Sequence, residues 1–175
     1  VIGRVPDDWD ITTSARPEDV KRIFRRTVDT GIEHGTVTVM IGREGYEVTT
    51  FRIDGEYKDS RHPENVEFTA SLKEDLKRRD FTINAMAYNE QEGIVDLFGG
   101  MDDIRSGIIR CVGNPADRFA EDALRMLRAV RFSAQLGYDI DKDTAAAIEE
   151  LAGTIAAVSK ERIHTEIGKT IMSSH

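Results

Sequence analysis

The spacing of hydrophobic and polar residues predicts an α/β part first and an all-α part after it. Apolar and polar residues alternate over 36–41 and 46–51, which predicts two strands joined by a glycine-containing turn of four residues, 42–45. A short helix is predicted over 16–26, because Pro17 suits the first helical position and acidic residues follow it. The polar residues between these segments are typical of turns.

Farther along, 71–89 is predicted to be mainly helical, and 93–100 a short strand that runs into a glycine turn. From Asn114 onward only helical periodicity remains, with further helices at 142–152 and 159–172. On a helical wheel, one narrow apolar arc contains Phe119, Ala123, Met126, Leu127, Val130 and Ala134. The polar side contains Glu121, Asp122, Arg125 and Arg128.

Composition narrows the class of protein. Hydrophobic residues make up 39% of the 175, which is enough for a core, and no apolar run approaches the roughly 20 residues needed to span a bilayer. The single cysteine, Cys111, excludes an internal disulfide and favours a cytoplasmic location, and four scattered histidines make no zinc pattern. The net charge of −8 argues against a uniformly basic nucleic-acid surface. It leaves open a local basic patch, or a carboxylate site that binds cations.

The segment DDWDITTSA at 7–15 places acidic residues at the start of a strand. Since strand side chains alternate, Asp8 and Asp10 share one face, about 6–7 Å apart. Glu47, in the strand YEVTTF, is a third acid with apolar and β-branched neighbours. Together the three could hold two Mg²⁺ ions for phosphoryl transfer. From these residues alone, solvated acids at a strand end and an exposed hairpin glutamate remain open interpretations.

A family resemblance becomes visible when the motifs are read in order. They are DDWDITTSARPEDV, HGTVTV, YEVTTFR, DGEYKDSRHP, LKRRDFTINAMA, DLFGG and RFAEDALRMLRAVRF. In this order they resemble the class II tRNA nucleotidyltransferases, the bacterial CCA-adding enzymes, which are related to the bacterial poly(A) polymerases. The resemblance implies an α/β nucleotidyltransferase palm, with a mixed sheet like that of DNA polymerase β, followed by an all-α neck. The expected domains are a head at 1–112 and a neck at 113–175.

The resemblance also implies a reaction. Asp8, Asp10 and Glu47 are expected to bind two Mg²⁺ ions, with CTP and ATP as substrates and the tRNA 3′ end as the attacking partner. Arg79, Asp80 and Asn84 are expected near the triphosphate and the ribose of the nucleotide, and no membrane partner is expected. A solvated basic face at 77–79 is the alternative for the arginine.

The motif EDALR predicts how the base is chosen. Asp122 and Arg125, three residues apart on a helix, could present an acceptor beside a donor. Cytosine and adenine each show an amino donor beside a ring acceptor, whereas uracil and guanine show the reverse, so the pair would select C and A. Arg128 is a further expected nucleotide contact and Glu121 a structural partner. An ordinary surface salt bridge is the alternative for Asp122 and Arg125.

Two other functions stay open at this point. One is an A-adding enzyme or a poly(A) polymerase of the same family, and the other is a nucleotide-binding module without turnover. The loop at 54–63 resembles a flexible loop that CC-only enzymes typically lack. The family's glycine motif is expected before Val1, and its body and tail beyond His175, so the chain is expected to be a fragment and its activity in isolation is left open.

Overall fold

The computed structural model describes residues 2, 3, 9–55 and 66–175 of the chain. They form two compact units. The first contains the described residues up to Gly55 together with 66–78, and the second runs from Arg79 to His175. Across these ranges, no helix is both long enough and apolar enough to cross a membrane.

The first unit is built on a mixed sheet with the strand order β1-β4-β3-β2. Its elements are β1 (Asp10–Thr13), α1 (Pro17–Ile23), β2 (Thr27–Gly31), β3 (Thr36–Ile41), β4 (Glu44–Thr50), β5 (Arg52–Asp54), β6 (Val66–Phe68) and α2 (Leu72–Lys77). Strands β1 and β4 are parallel, and the other neighbours in the sheet are antiparallel. Strands β5 and β6 pair separately as an antiparallel ribbon.

One face of this sheet forms the core of the first unit. Val37, Val39 and Val48 are buried and pack with Val20 of α1. Because side chains alternate along a strand, Glu47 lies on the opposite face, together with the polar side chains of Thr38 and Thr49. The alternation in the sequence therefore already separates a structural face from a candidate functional face.

The predicted hairpin between β3 and β4 is confirmed, but its turn is shorter than expected. Ile41 pairs with Glu44, so only Gly42 and Arg43 lie in the turn. Gly42 has a φ of +65°, a conformation that glycine adopts without strain. The second strand consequently begins before the predicted range 46–51, because two more residues join the ladder.

The second unit is mainly helical. Its elements are β7 (Met86–Asn89), β8 (Gly93–Asp96), α3 (Gly100–Ser106), β9 (Ile108–Ile109), α4 (Pro115–Glu121), α5 (Leu124–Leu136), β10 (Asp139–Ile140), α6 (Lys142–Leu151) and α7 (Lys160–Ile171). Its core consists of Phe81, Ile109, Cys111, Phe119, Ala123, Leu124, Met126, Ala129, Ala147 and Val158. The predicted strand near 93–100 and the two predicted helices at 142–152 and 159–172 are confirmed, as β8, α6 and α7.

The prediction of a mainly helical 71–89 is wrong beyond α2. Phe81 is extended, with φ −124° and ψ 151°, and its backbone forms an antiparallel bridge with Cys111. The amide of Thr82 donates to the carbonyl of Arg110 at 2.9 Å. The ring of Phe81 is completely buried, and these long-range contacts outweigh the local helical preference.

A close backbone approach fixes the short turn Thr82–Asn84. Helix α3 begins at Gly100, where a Cβ atom would collide with the carbonyl oxygen of Thr82. The hydroxyl of Thr82 donates to Oδ2 of Asp103, in the first turn of α3, at 2.6 Å. The N-terminus of α3 is therefore pressed directly against the turn that carries Asn84.

The residues after Asn114 are helical as predicted, but they do not form one uninterrupted helix. Helix α4 ends at Glu121, and Asp122 leaves the helical region with φ −151° and ψ 103°. Its carboxylate accepts the amide of Leu124 at 3.1 Å, at the start of α5. In the predicted apolar arc, Phe119, Ala123 and Met126 are buried on both sides of this break, but the predicted inward position of Val130 is wrong, because its side chain is 41% exposed.

Cys111 gives a test of core packing. Burial raises the pKa of its thiol from 9.0 to about 12, and the side chain is 2% exposed. We expect a thiol-reactive disulfide reagent at pH 8 to label the native chain at least about 100-fold more slowly than the urea-unfolded chain, since only the thiolate reacts. Because the pKa is higher in the folded state, the associated stability is complete below about pH 9 and lost toward pH 12. Equal labelling rates in the two states would contradict this packing.

Candidate functional site

Two carboxylates lie side by side on the polar face of the sheet, opposite the face that forms the core of the first unit. Asp10 begins β1, and its register partner in the parallel neighbour β4 is Glu47. Register partners point to the same side, and adjacent strands lie about 4.8 Å apart. Thr38 of β3 is the register partner of Glu47 on its other side. The sheet thus places two of the three predicted metal ligands side by side.

These two carboxylates lack compensating charge. Both side chains are exposed, and among the described residues neither has a lysine, arginine or histidine nitrogen within 4.0 Å. The third predicted ligand, Asp8, lies outside the described residues, and within the described ranges no three metal-ligating side chains cluster. Adjacent uncompensated carboxylates repel each other, so this arrangement favours a bound cation.

Threonine hydroxyls continue the same face toward the far end of the strands. Thr49 of β4 and Thr36 of β3 are register partners whose Oγ1 atoms lie 3.0 Å apart. Thr12 of β1 pairs with Thr49, and its buried Oγ1 has no hydrogen-bond partner in the described part of the chain. Hydroxyl oxygens therefore extend the acidic pair on one side, and oxygen atoms of this kind are the donors that Mg²⁺ prefers.

A second cluster, in the second unit, unites three predicted nucleotide-binding residues. Oδ1 of Asp80 accepts the backbone amide of Phe81 at 2.8 Å and the side-chain amide of Asn84 at 3.1 Å. Its Oδ2 accepts Nε of Arg128 at 2.7 Å. The predicted proximity of Asp80 and Asn84 is therefore confirmed, although a short 3₁₀ turn rather than an α-helix provides it. Arg79 directly precedes this cluster and is half-buried.

The bond between Asp80 and Arg128 is expected to stabilise the fold. Asp80 is only 7% exposed, so Arg128→Ala leaves a buried carboxylate with two neutral donors. We expect the free energy of unfolding to fall by about 2–3 kcal/mol, measured by urea denaturation. The matched control is Arg105→Ala, which breaks an exposed pair with Asp102 and should change stability by less than about 0.5 kcal/mol. Equal losses in the two variants would contradict the buried role.

A third cluster surrounds the break between α4 and α5. Oδ2 of Asp122 accepts Nη2 of Arg162 at 2.7 Å, and Oδ1 accepts Nη1 at 3.3 Å. Arg125 donates through Nη1 to Glu121 at 2.5 Å and to the carbonyl of Arg118 at 3.2 Å. Glu121 also forms an ion pair with Arg118. Its expected place as a structural partner agrees with these contacts.

The geometry differs from the predicted pair on one helix. Asp122 ends α4, whereas Arg125 lies in the first turn of α5. The partner Arg162 was missed, because it lies 40 residues farther along the chain and local spacing carries no signal of that contact. A carboxylate has about four acceptor positions, and the described residues use three of those on Asp122. One acceptor position remains for a ligand.

An open cavity of about 280 Å³ lies beside this third cluster. Its lining consists of Leu124, Ser159, Glu161, Arg162, Thr165 and Glu166. Arg162 belongs both to the cavity wall and to the ion pair with Asp122. The carboxylate of Asp122 is thus held on one side by Arg162 of α7.

Comparison with known proteins decides the family. Residues 1–110 match the family described as "Poly A polymerase head domain". The chain belongs to this family. Residues 137–175 match a second description, "Probable RNA and SrmB- binding site of polymerase A". The predicted fold class, a nucleotidyltransferase palm followed by a helical part, is confirmed.

Relatives of this chain include CCA-adding enzymes. That of Leuconostoc mesenteroides subsp. mesenteroides is 51% identical over 99% of this chain and 43% of its own length. That of Enterococcus faecalis is 54% identical over 98% of the chain and 42% of its own. The crystal structure of the Bacillus stearothermophilus CCA-adding enzyme in complex with CTP has a TM-score of 0.90 and 49% identity, and covers 99% of this chain and 42% of that one. The chain thus spans less than half the length of these relatives.

The head-domain match ends at residue 110, close to the predicted boundary after residue 112. The compact units, by contrast, divide after Arg78, because Phe81 and Ile109 belong to the same core as α4 and α5. The boundary between a head at 1–112 and a neck at 113–175 stays a prediction. The loop expected at 54–63 falls mostly outside the described residues.

Proposed function

We propose that this chain is the catalytic portion of a template-independent RNA nucleotidyltransferase. It adds CMP and AMP from CTP and ATP to the 3′ end of tRNA, in the cytoplasm. The observation that carries the proposal is the uncompensated pair Asp10 and Glu47, on adjacent strands in a chain 51% identical to a CCA-adding enzyme. Two adjacent carboxylates repel each other and destabilise the fold, so such a pair is expected mainly at a functional site, here one that binds a cation.

The acidic pair, together with Asp8, would hold two Mg²⁺ ions. When bound, Mg²⁺ lowers the pKa of a hydroxyl nucleophile and neutralises charge on a departing pyrophosphate. The sheet contributes by keeping Asp10 and Glu47 in fixed register and on one face. The strand backbone sets this position, so little reorganisation is required during the reaction.

The third cluster would select the base. Asp122 keeps one acceptor position for the amino group of cytosine or adenine, and Arg125, held by Glu121, offers donors to the ring nitrogen. Uracil and guanine place a carbonyl oxygen against the carboxylate and an N–H against the guanidinium. Such mismatched groups remain unpaired, which costs about 1–3 kcal/mol for each group.

The second cluster would position the sugar and phosphates. Asn84 donates its amide to Asp80, which leaves the amide oxygen of Asn84 to accept a ribose 2′-hydroxyl. Arg79 and Arg128 supply positive charge for the triphosphate. A 2′-hydroxyl contact explains selection of ribonucleotides over deoxyribonucleotides.

The test is incubation of this chain, and of any longer protein that contains it, with Mg²⁺ and with each of two substrates, tRNA that ends before CCA and tRNA that ends in CC. CTP and ATP are supplied separately and then together, and the products are resolved at single-nucleotide length. We expect two C residues with CTP alone and completion by A when ATP is added. Addition of A alone onto a CC end, without any use of CTP, would favour an A-adding enzyme, and long A tails would favour a poly(A) polymerase. Selective CTP and ATP binding without incorporation in any form would favour a nucleotide-binding module.

A further inference from the structure

Three exposed arginines lie together at one end of the sheet of the first unit. Arg25 and Arg26 follow α1, and Arg43 occupies the turn between β3 and β4. The carbonyl of Arg26 accepts the amide of Met40 at 2.9 Å, and Nη1 of Arg26 donates to the carbonyl of Gly42 at 3.3 Å. These bonds join the two segments, and we name the three side chains the arginine patch.

The charge of the arginine patch is not neutralised within the described structure. None of its three guanidinium groups has a carboxylate oxygen within 4.0 Å among the described residues. The neighbouring Lys21 and Arg22, by contrast, pair with Asp29 and Asp19. Residues 16–43 contain six Lys or Arg and four Asp or Glu, whereas the whole chain contains 24 and 32. A local positive surface therefore exists on an acidic protein.

The patch lies at the same end of the sheet as the acidic pair. Strand β4 begins directly after the turn at Arg43 and runs parallel to β1, and Asp10 is the register partner of Glu47. Arg43 precedes Glu47 by four residues, which is about 13 Å along a strand. An anion bound at Arg43 is thus about two nucleotides from Glu47, whereas Arg25 and Arg26, which precede β2, lie two strands farther across the sheet, about 10 Å from β4.

We propose that the arginine patch binds the phosphate backbone of the RNA whose 3′ end is delivered to Asp10 and Glu47. This inference rests on the proposed function for the identity of the RNA. A guanidinium group can donate two parallel hydrogen bonds to two oxygens of one phosphate. It is also less strongly hydrated than the ammonium group of lysine, so it loses less hydration energy on binding. The exposed ring of Phe24, next to Arg25, adds a surface on which an unpaired base can stack.

The experiment measures binding of this 175-residue chain to a fluorescent tRNA that ends before CCA, by anisotropy at several salt concentrations. The test variant combines Arg25→Gln, Arg26→Gln and Arg43→Gln. We expect its affinity to fall at least about 10-fold near 0.1 M salt, and the slope of log K against log salt to decrease in magnitude by about 2–3. The matched control, Arg105→Gln on α3, should leave the slope unchanged.

A triple lysine variant at the same positions keeps the charge and should preserve most of the slope. The glutamine variant should keep the secondary structure of the parent chain, measured by circular dichroism, and its affinity for CTP, because neither depends on the arginine patch. An unchanged slope in that variant, or no RNA binding by the parent chain, would overturn the proposal. Polyglutamate that competes as well as RNA at equal charge would overturn it in favour of an acidic protein partner.

Self-association is checked by sedimentation in the same buffers. If the glutamine variant abolishes a dimer without changing RNA binding, the patch is a contact between copies and the proposal is overturned. Failure of the proposed function is distinguishable, because it would appear as loss of CTP preference over UTP while the salt slope still depends on the arginines. In that case the arginine patch still binds RNA, but the protein has an activity other than the one proposed.

Discussion

Asp10→Asn is expected to reduce CMP incorporation by about 1,000-fold or more, in whichever form of the protein incorporates CMP. The neutral amide cannot balance a divalent cation, whereas CTP binding through the second unit should persist. In the 175-residue chain, the same variant should weaken Mn²⁺ binding measured by electron paramagnetic resonance. Glu47→Gln should behave similarly, since the two carboxylates share one face.

The same variant should be more stable than the parent chain in the absence of metal. Removing one of two adjacent like charges relieves repulsion, and we expect a gain of about 0.2–1 kcal/mol in the free energy of unfolding. The matched control is Glu44→Gln on β4, the strand of Glu47; the Glu44 carboxylate accepts the hydroxyl of Tyr46 and, among the described residues, is not paired with another acid, so this variant should retain activity. Full activity of Asp10→Asn, or a loss of activity explained by unfolding, would contradict the metal-binding role.

Asp122→Asn is expected to reduce the preference for CTP over UTP by about 30–100-fold. The amide keeps an oxygen for the Leu124 cap, but it presents N–H donors that can pair with the carbonyl of uracil. The measurement is single-nucleotide incorporation with each triphosphate under identical conditions. The effect should exceed any change in the dependence on Mg²⁺, because the substitution leaves the acidic pair intact.

A control variant and a measurement of stability separate base recognition from structure. Asp117→Asn, at an exposed position of α4, should leave the ratio of CTP to UTP incorporation unchanged. If Asp122→Asn instead slows both nucleotides equally and lowers stability, Asp122 acts through its bond to Arg162 and its cap, not through the base. The direction of the ratio, rather than the absolute rate, therefore decides between the two roles.

Local patterns in the sequence were sufficient where short-range physics determines the structure. Alternating residues placed β3 and β4 and put Glu47 on the polar face, and Pro17 marked the start of α1. They were insufficient where distant residues compete. Burial of Phe81 against Cys111 converts a predicted helix into extended chain.

The candidate site shows the same division. The proximity of Asp80 and Asn84 could be predicted, because four residues separate them. The contacts of Asp80 with Arg128 and of Asp122 with Arg162 cross 48 and 40 residues, so no local spacing predicts them. The position of Asp122 at the end of a helix could not be predicted either. The helical periodicity of the sequence runs through this position and gives no signal of the break.

The glycine at the start of α3 limits how the protein can vary. No other residue at Gly100 leaves room for the carbonyl of Thr82, so any replacement must displace the turn that supports Asn84. At Gly153, an added methyl group would meet no atom within 4 Å, so this position has no such restriction. A library of random variants selected for function should consequently keep glycine at the first position and accept alanine at the second.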